Sequence, residues 1–241
     1  MQIGPDILFT IAGFPVTNTV ITTIITDILL ITVALIIKKV VSLKPGSFQN
    51  LIEMIIDYFY DMTESTAGKK VSFIYPWVVT FFLFIAISNL TAQLPGFESI
   101  RFHSAGSGEE GVPLFRAATS DLNTTLALAV ISVIATNLVG IWHIGIKAYI
   151  SKFISFKMFP IFLFVGILEF VNEFIKFISF SFRLLGNIFA GERVLGTIYG
   201  MLSIVAPLPF IVLEFMVAVI QALVFAMLTM AFMHIMSDKP H

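Results

Sequence analysis

The chain has 241 residues, of which 58% are hydrophobic and 12% are charged, and Phe alone occurs 26 times. This composition lies outside the range of soluble domains and predicts an integral membrane protein with room for roughly five or six spans of about 20 residues, and for no separate soluble catalytic domain. The net charge of −1 argues against a nucleic-acid partner, and the absence of Cys excludes disulfides, thiolate metal sites and thiol catalysis.

The apolar segments predict one all-α membrane domain over residues 1–241. The N-terminus lacks the basic region of a cleaved signal peptide, so we expect the first span to be retained. The predicted spans are residues 20–37, 77–94, 122–146, 158–200 and 203–236.

An additional helix over about residues 47–64 has apolar residues at helical spacing opposite acidic ones, which predicts an amphipathic helix on the membrane surface. Its acidic edge either binds a partner subunit or is a solvated face. Residues 97–121 are polar and Gly-rich, which predicts a water-exposed loop. No internal repeat is visible.

The distribution of basic residues orients the predicted spans. If five segments cross, one side of the membrane receives Lys38, Lys39, Lys44, Lys69, Lys70, Lys147, Lys152, Lys157 and Lys239. The other side receives only Arg101 and Arg116, beside several acidic residues. We therefore expect the N-terminus outside and the C-terminus in the cytoplasm.

The segment from Met158 to Gly200 is too long for an ordinary span. As one helix it would be about 60 Å long, roughly twice the hydrocarbon thickness. Either it breaks near Gly186, Gly191 or Gly196, or it lies strongly tilted with its polar face against protein or water.

Ionisable residues inside the last two segments indicate an ion path, because charges in spans are costly and face a cavity or a partner. At about 100° per residue, one narrow sector of the long segment carries Glu169, Glu173, Lys176, Arg183 and Asn187. Glu192 lies roughly opposite Arg183. In the last segment Glu214 and Gln221 are two helical turns apart and share a face.

These residues form a recognisable pattern. The run Phe180-Ser-Phe-Arg183-Leu-Leu-Gly-Asn187-Ile-Phe-Ala-Gly-Glu192, followed by Glu214 and by Gln221-Ala-Leu-Val-Phe-Ala-Met-Leu-Thr229, resembles subunit a of bacterial F-type ATP synthases. The resemblance extends to Ala118-Thr-Ser-Asp121-Leu-Asn123-Thr-Thr and covers nearly the whole chain.

The resemblance implies a non-catalytic stator of the Fo sector in the bacterial plasma membrane, with two long tilted helices beside a ring of rotor hairpin subunits. It also implies two offset half-channels that carry protons to and from a ring carboxylate, with peripheral-stalk subunits as further partners. No cofactor is expected, because lipid-facing and packing surfaces account for the abundance of Phe and Met. Whether the ion is H⁺ or Na⁺ stays open, because the selecting carboxylate belongs to the ring.

Residue by residue, the resemblance makes Arg183 the stator arginine that faces the ring carboxylate and blocks a leak between the half-channels. Glu192 and Glu214 would line the outward half-channel. Other members of the family carry His at the position of Glu214, so this chain departs from the pattern while keeping a titratable group.

The same comparison suggests that Asn187 and Gln221 hold water or the arginine in position. Glu169 would line the cytoplasmic half-channel, and so would Glu173 together with Lys176. Glu173 and Lys176 are three residues apart, so a purely local ion pair is an equal alternative.

Other polar residues have simpler interpretations. Small polar side chains in spans usually make hydrogen bonds between helices, and this interpretation applies to Ser88, Asn89, Asn123 and Asn137. The His residues are expected at the surface rather than in a proton relay: His103, His143, His234 and His241.

Two other function classes are weaker. A stand-alone secondary ion transporter predicts an internal repeat, and none is seen. An intramembrane enzyme needs a nucleophile with a base or a metal-ligand cluster, and the sequence has no Cys, no His pair at ligand spacing and no Asp pair in a span.

Overall fold

The computed structural model describes residues 5–11, 13–42, 45–94, 97, 100–102, 111–147, 149, 161–201 and 207–238. Within these ranges the long helices are α1 (Asn18–Val40), α2 (Ser47–Ala67), α3 (Val71–Ala92), α4 (Leu122–Ile144), α5 (Ile161–Met201) and α6 (Pro207–Ser237). The beginnings of the last two predicted spans, residues 158–160 and 203–206, lie outside the described residues, as do Lys152, Lys157 and Lys239.

Five helical stretches in the described ranges are long and apolar enough to cross a membrane. They are α1, α4, α5, α6 and the 46-residue stretch in which α2 and α3 follow one another through the 3₁₀ turn Gly68–Lys70. The prediction of an all-α membrane protein with about five crossing helices is confirmed.

Helix α3 contains a proline, and helix α5 contains the three glycines named above as alternative break points. Helix α3 begins at Val71 and includes Pro76, which removes one backbone donor without ending the helix. Helix α5 is a single helix of 41 residues that runs through Gly186, Gly191 and Gly196. The alternative of a break at one of these glycines is therefore wrong.

Short strands precede α1 and α4, although no strand was expected from the sequence. Strands β1 (Ile7–Ile11) and β2 (Phe14–Thr17) pair antiparallel, and Gly13 between them has a φ of 87°, which a side chain would disfavour. Strands β3 (Arg101–Phe102) and β4 (Val112–Pro113) form a second antiparallel pair.

The chain forms two compact units, each assembled from three separate segments. Unit 1 comprises Met1–Ser42, Phe82–Thr125 and Phe182–Leu223. Unit 2 comprises Leu43–Phe81, Leu126–Ser181 and Val224–His241. Four helices (α3, α4, α5 and α6) contribute to both.

Aromatic rings form the centre of unit 2. The ring centroid of Phe225 on α6 lies 4.8 Å from that of Phe180 on α5 and 5.4 Å from that of Phe81 on α3. The hydroxyl groups of Ser132 on α4 and Thr229 on α6 are hydrogen-bonded at 2.8 Å. Unit 2 is therefore held by both apolar packing and a polar link between spans.

Unit 1 buries Leu184 and Ile188 of α5 and Ala218 and Ala222 of α6. It also buries residues 117–121, so the prediction of a water-exposed loop is wrong for this part of the connection. The hydroxyl of the buried Ser120 is paired, because it donates to the carbonyl of Ala117 at 2.9 Å.

Candidate functional site

Arg183 lies on α5 within unit 1, beside the buried Leu184 and one turn before the buried Ile188. Its own side chain is exposed, as is that of Asn187 one turn later. Arg183 therefore occupies the edge of the buried face of α5. A guanidinium at this edge presents a planar group of N–H donors.

Asn187 and Gln221 are brought together. The Asn187 Nδ2 donates a hydrogen bond of 2.7 Å to Oε1 of Gln221 on α6, and Gln221 is 5% exposed. In the described part of the chain, the buried Nε2 of Gln221 has no hydrogen-bond partner. The Asn187–Gln221 pair thus leaves the side-chain NH₂ group of Gln221 as a donor beside the segment of α5 that carries Arg183.

Glu214 of α6 lies directly against the backbone of α5. It is 6% exposed, and a Cβ placed on Gly191 would lie 2.7 Å from the carboxyl carbon of Glu214, closer than real atoms approach. Only glycine at this position leaves room for the carboxylate. The carboxylate of Glu214 therefore lies beside Gly191, which directly precedes Glu192 in α5.

Glu192 faces Arg116, a cation in the segment that was predicted to be a loop. Its Oε2 lies 3.8 Å from Nη2 of Arg116, and the two side chains are 21% and 12% exposed. No periodicity or motif signals this contact, since Arg116 belongs to the connection before α4. Arg116 is therefore a candidate site residue that sequence reasoning missed.

The connection that carries Arg116 is tied to α1. The backbone N–H of Arg116 donates to Oγ1 of Thr22 at 3.4 Å, and its Nε donates to Oγ of Ser120 at 3.1 Å. In addition, Oγ1 of Thr19 donates to Oδ2 of Asp121 at 3.0 Å. These bonds tie the connection to α1 and hold the guanidinium of Arg116 against Ser120.

Asn89 supports the interpretation of small polar residues as links between helices. Its Nδ2 donates to the carbonyl of Ala218 on α6 at 3.4 Å, and its Oδ1 accepts from Thr119 Oγ1 at 2.6 Å. The neighbouring Ser88 differs, because its buried hydroxyl has no hydrogen-bond partner among the described residues.

Glu173 and Lys176 form an ion pair in unit 2. Nζ of Lys176 lies 2.7 Å from Oε1 of Glu173, and it also lies 4.5 Å from the ring centroid of Phe232 on α6. The two side chains therefore pair locally, and this contact is compatible with both interpretations of Glu173. Glu169 lies on the same helix, but its side chain is outside what the structure describes.

Each unit therefore holds its own group of ionisable or polar residues. Unit 1 holds Arg183, Glu192 with Arg116, Glu214, and the Asn187–Gln221 pair, whereas unit 2 holds the Glu173–Lys176 pair. In the described ranges, no group of three His, Cys, Asp or Glu side chains is arranged to bind a metal ion. The ionisable groups of unit 1 come from α5, α6 and the connection before α4.

Comparison with known proteins gives one family. The family model described as ATP synthase A chain matches residues 19–234. ATP synthase subunit a of Moorella thermoacetica is 32% identical over 231 residues, which cover 96% of this chain and 95% of that protein. The family match covers every site residue described above and the six helices apart from Asn18 and residues 235–237. This chain, a multi-pass membrane protein, belongs to the ATP synthase A chain family of membrane Fo subunits.

Proposed function

We propose that this chain is the proton-translocating stator of the Fo sector, which passes protons to and from a carboxylate on a rotor ring and thereby couples proton flow to rotation and ATP synthesis. The observation that carries the proposal is the position of Glu214. Its buried carboxylate packs against Gly191, which has no side chain and directly precedes Glu192. The two helices that meet there are each long and apolar enough to span a membrane. Burying such a group in a membrane protein is costly and favours a role in ion transfer.

Glu192 and Glu214 would form the outward half-channel. Each carboxylate accepts a proton from the aqueous side and releases it toward the ring, and the two lie on facing helices of unit 1. Asn187 and Gln221 would keep a polar surface between these acids and the ring-facing side of α5, since their amide bond links the two helices at 2.7 Å.

Arg183 would separate the two half-channels. Its permanent charge attracts the ring carboxylate when that group has lost its proton, and it repels a proton that would pass directly. One charge moving down 100 mV releases about 2.3 kcal/mol, so a leak past Arg183 would waste the energy that drives ATP synthesis. The exposed position of Arg183 on α5 suits contact with a neighbouring subunit.

Glu169 and Glu173, the latter with Lys176, would line the cytoplasmic half-channel. The Lys distribution supports an N-terminus outside and a C-terminus in the cytoplasm of a bacterial cell. The rotor ring and the peripheral-stalk subunits would be the protein partners, with no cofactor and no covalent chemistry in this chain.

The test uses the purified complex in sodium-free vesicles, with ATP synthesis driven by an imposed pH difference and membrane potential. Glu192→Gln combined with Glu214→Gln should abolish synthesis while the complex still assembles. Glu64→Gln, a change at an exposed acid on α2, is the matched control and should synthesise ATP normally. Undiminished synthesis in the assembled double variant would remove both carboxylates from the path, and a requirement for added Na⁺ would replace the proton as the ion.

A further inference from the structure

Arg116 contacts a proposed proton carrier from outside the two helices that form the path. The guanidinium Nη2 lies 3.8 Å from Oε2 of Glu192, and the Arg116 side chain is only 12% exposed. A surface arginine in a flexible loop would contribute little, because exposed ion pairs are weak. This pair is largely shielded from water, so its charges interact more strongly.

The structure holds both the backbone and the guanidinium of Arg116. Thr22 on α1 accepts from the backbone N–H of Arg116 at 3.4 Å, and Ser120 accepts from its Nε at 3.1 Å. Ser120 itself is 4% exposed and belongs to the buried 3₁₀ turn Ala118–Ser120. The cation is therefore positioned before Glu192 gains or loses a proton.

The other charged groups near Glu192 explain what the cation does. Glu214 on α6 lies against Gly191, the residue before Glu192, so a second acidic side chain packs against the same part of α5. Arg193 follows Glu192 on α5, and its guanidinium carbon lies 5.0 Å from the ring centroid of Phe189 on the same helix. Arg116 thus supplies, from the connection before α4, a cation at ion-pair distance from Glu192. Two neighbouring carboxylates repel each other unless a cation compensates them.

We propose that Arg116 is a positioning residue of the outward proton path: it holds Glu192 as a carboxylate, aimed away from Glu214, so that the two acids act in sequence rather than share one proton. The inference rests on the proposed function of Glu192. It assigns the connection before α4 a part in proton entry.

The test is a double-mutant cycle on ATP synthesis by the purified complex, normalised to assembled protein. Arg116→Gln should lower the rate about tenfold or more, and Arg116→Lys, which keeps the cation, should retain about half of it. On a Glu192→Gln background, Arg116→Gln should change the residual rate less than about twofold. Arg101→Gln, at the other arginine of the same connection, is the control and should stay within about twofold of wild type.

A purely structural anchor gives the opposite pattern. The proposal would be overturned if Arg116→Gln lowered the rate of ATP synthesis by the same factor with and without Glu192. It would also be overturned if Arg116→Lys recovered no activity. If Arg116→Gln does not assemble, Ser120→Ala is the deciding variant. It keeps the cation but removes the hydroxyl that accepts the hydrogen bond from Arg116 Nε. It should lower the rate about two- to fivefold only when Glu192 is present. Full synthesis by Glu192→Gln alone would instead contradict the proposed function, so the two failures are distinguishable.

Discussion

The amide of Asn187 donates a hydrogen bond of 2.7 Å to the side-chain carbonyl of Gln221, and this bond joins α5 to α6 within unit 1. Asn187 lies one helical turn after Arg183, and Gln221 lies two turns after Glu214. The bond therefore connects the helix that carries the proposed barrier to the helix that carries one of the proposed proton carriers.

Replacing Asn187 alone should destabilise the protein more than replacing Asn187 and Gln221 together. Asn187→Leu leaves the buried carbonyl of Gln221 without its donor, which costs about 1–3 kcal/mol. Asn187→Leu with Gln221→Leu removes both polar groups and should recover part of that loss. The thermal midpoint of the purified complex measures both effects, with the exposed Asn123→Leu as control. Equal midpoints for the single and double variants would mean that the bond is not formed.

Arg183→Ala should abolish ATP synthesis and proton pumping while the subunit still inserts, because losing a charge relieves the membrane of a cost. Arg183→Lys should fail or nearly so, since an ammonium lacks the planar fork and can lose its proton in a dry site. Passive proton uptake and ATP synthesis in vesicles with equal amounts of complex measure both variants. Coupled synthesis by Arg183→Ala would reduce the arginine to a structural anchor.

Gly191→Ala should impair synthesis although alanine favours helices by about 1 kcal/mol relative to glycine. The added methyl group overlaps the carboxylate of Glu214 and must displace it. Gly196→Ala is the matched control on the same helix, because nothing lies within 4 Å of a Cβ there. The control should be neutral or slightly stabilising, measured as synthesis rate and thermal midpoint. Normal synthesis by Gly191→Ala would show that the position of Glu214 is unimportant.

Glu173→Gln separates the two interpretations of the Glu173–Lys176 pair, whose atoms are 2.7 Å apart. If Glu173 carries protons, the variant should lose most ATP synthesis even when Lys176→Met is also present. If the acid only neutralises the lysine, the double variant should recover the wild-type rate. We expect the first result, measured in vesicles of equal complex content.

Labelling with a membrane-impermeant maleimide tests the orientation. A Cys introduced at Pro15, before α1, should react from outside intact cells, and one at Ser65, at the end of α2, should not. Both positions are exposed, and the wild-type chain contains no Cys, so this subunit gives no background. Labelling in the reverse pattern would mean that each half-channel opens to the opposite side of the membrane from the one proposed.

Much of the architecture was predictable from the sequence, because hydropathy and helical period are properties of neighbouring residues. The runs of apolar residues determined a helical membrane protein. The period of about 100° per residue placed Arg183 and Asn187 on one side of the long helix. The composition could not reveal the hairpin of β1 and β2, since short strands have weak local signals.

The tertiary structure alone decided which distant residues meet. Arg116 and Glu192 are far apart in sequence, yet packing of the connection before α4 brings their charges to 3.8 Å. Glu214 reaches α5 because Gly191 has no side chain there. Likewise, residues 117–121 are buried although their polar composition resembles that of a solvent-exposed loop. A linear pattern encodes which face of a helix is apolar, but contacts between segments depend on how the faces pack, and that is a property of the whole fold.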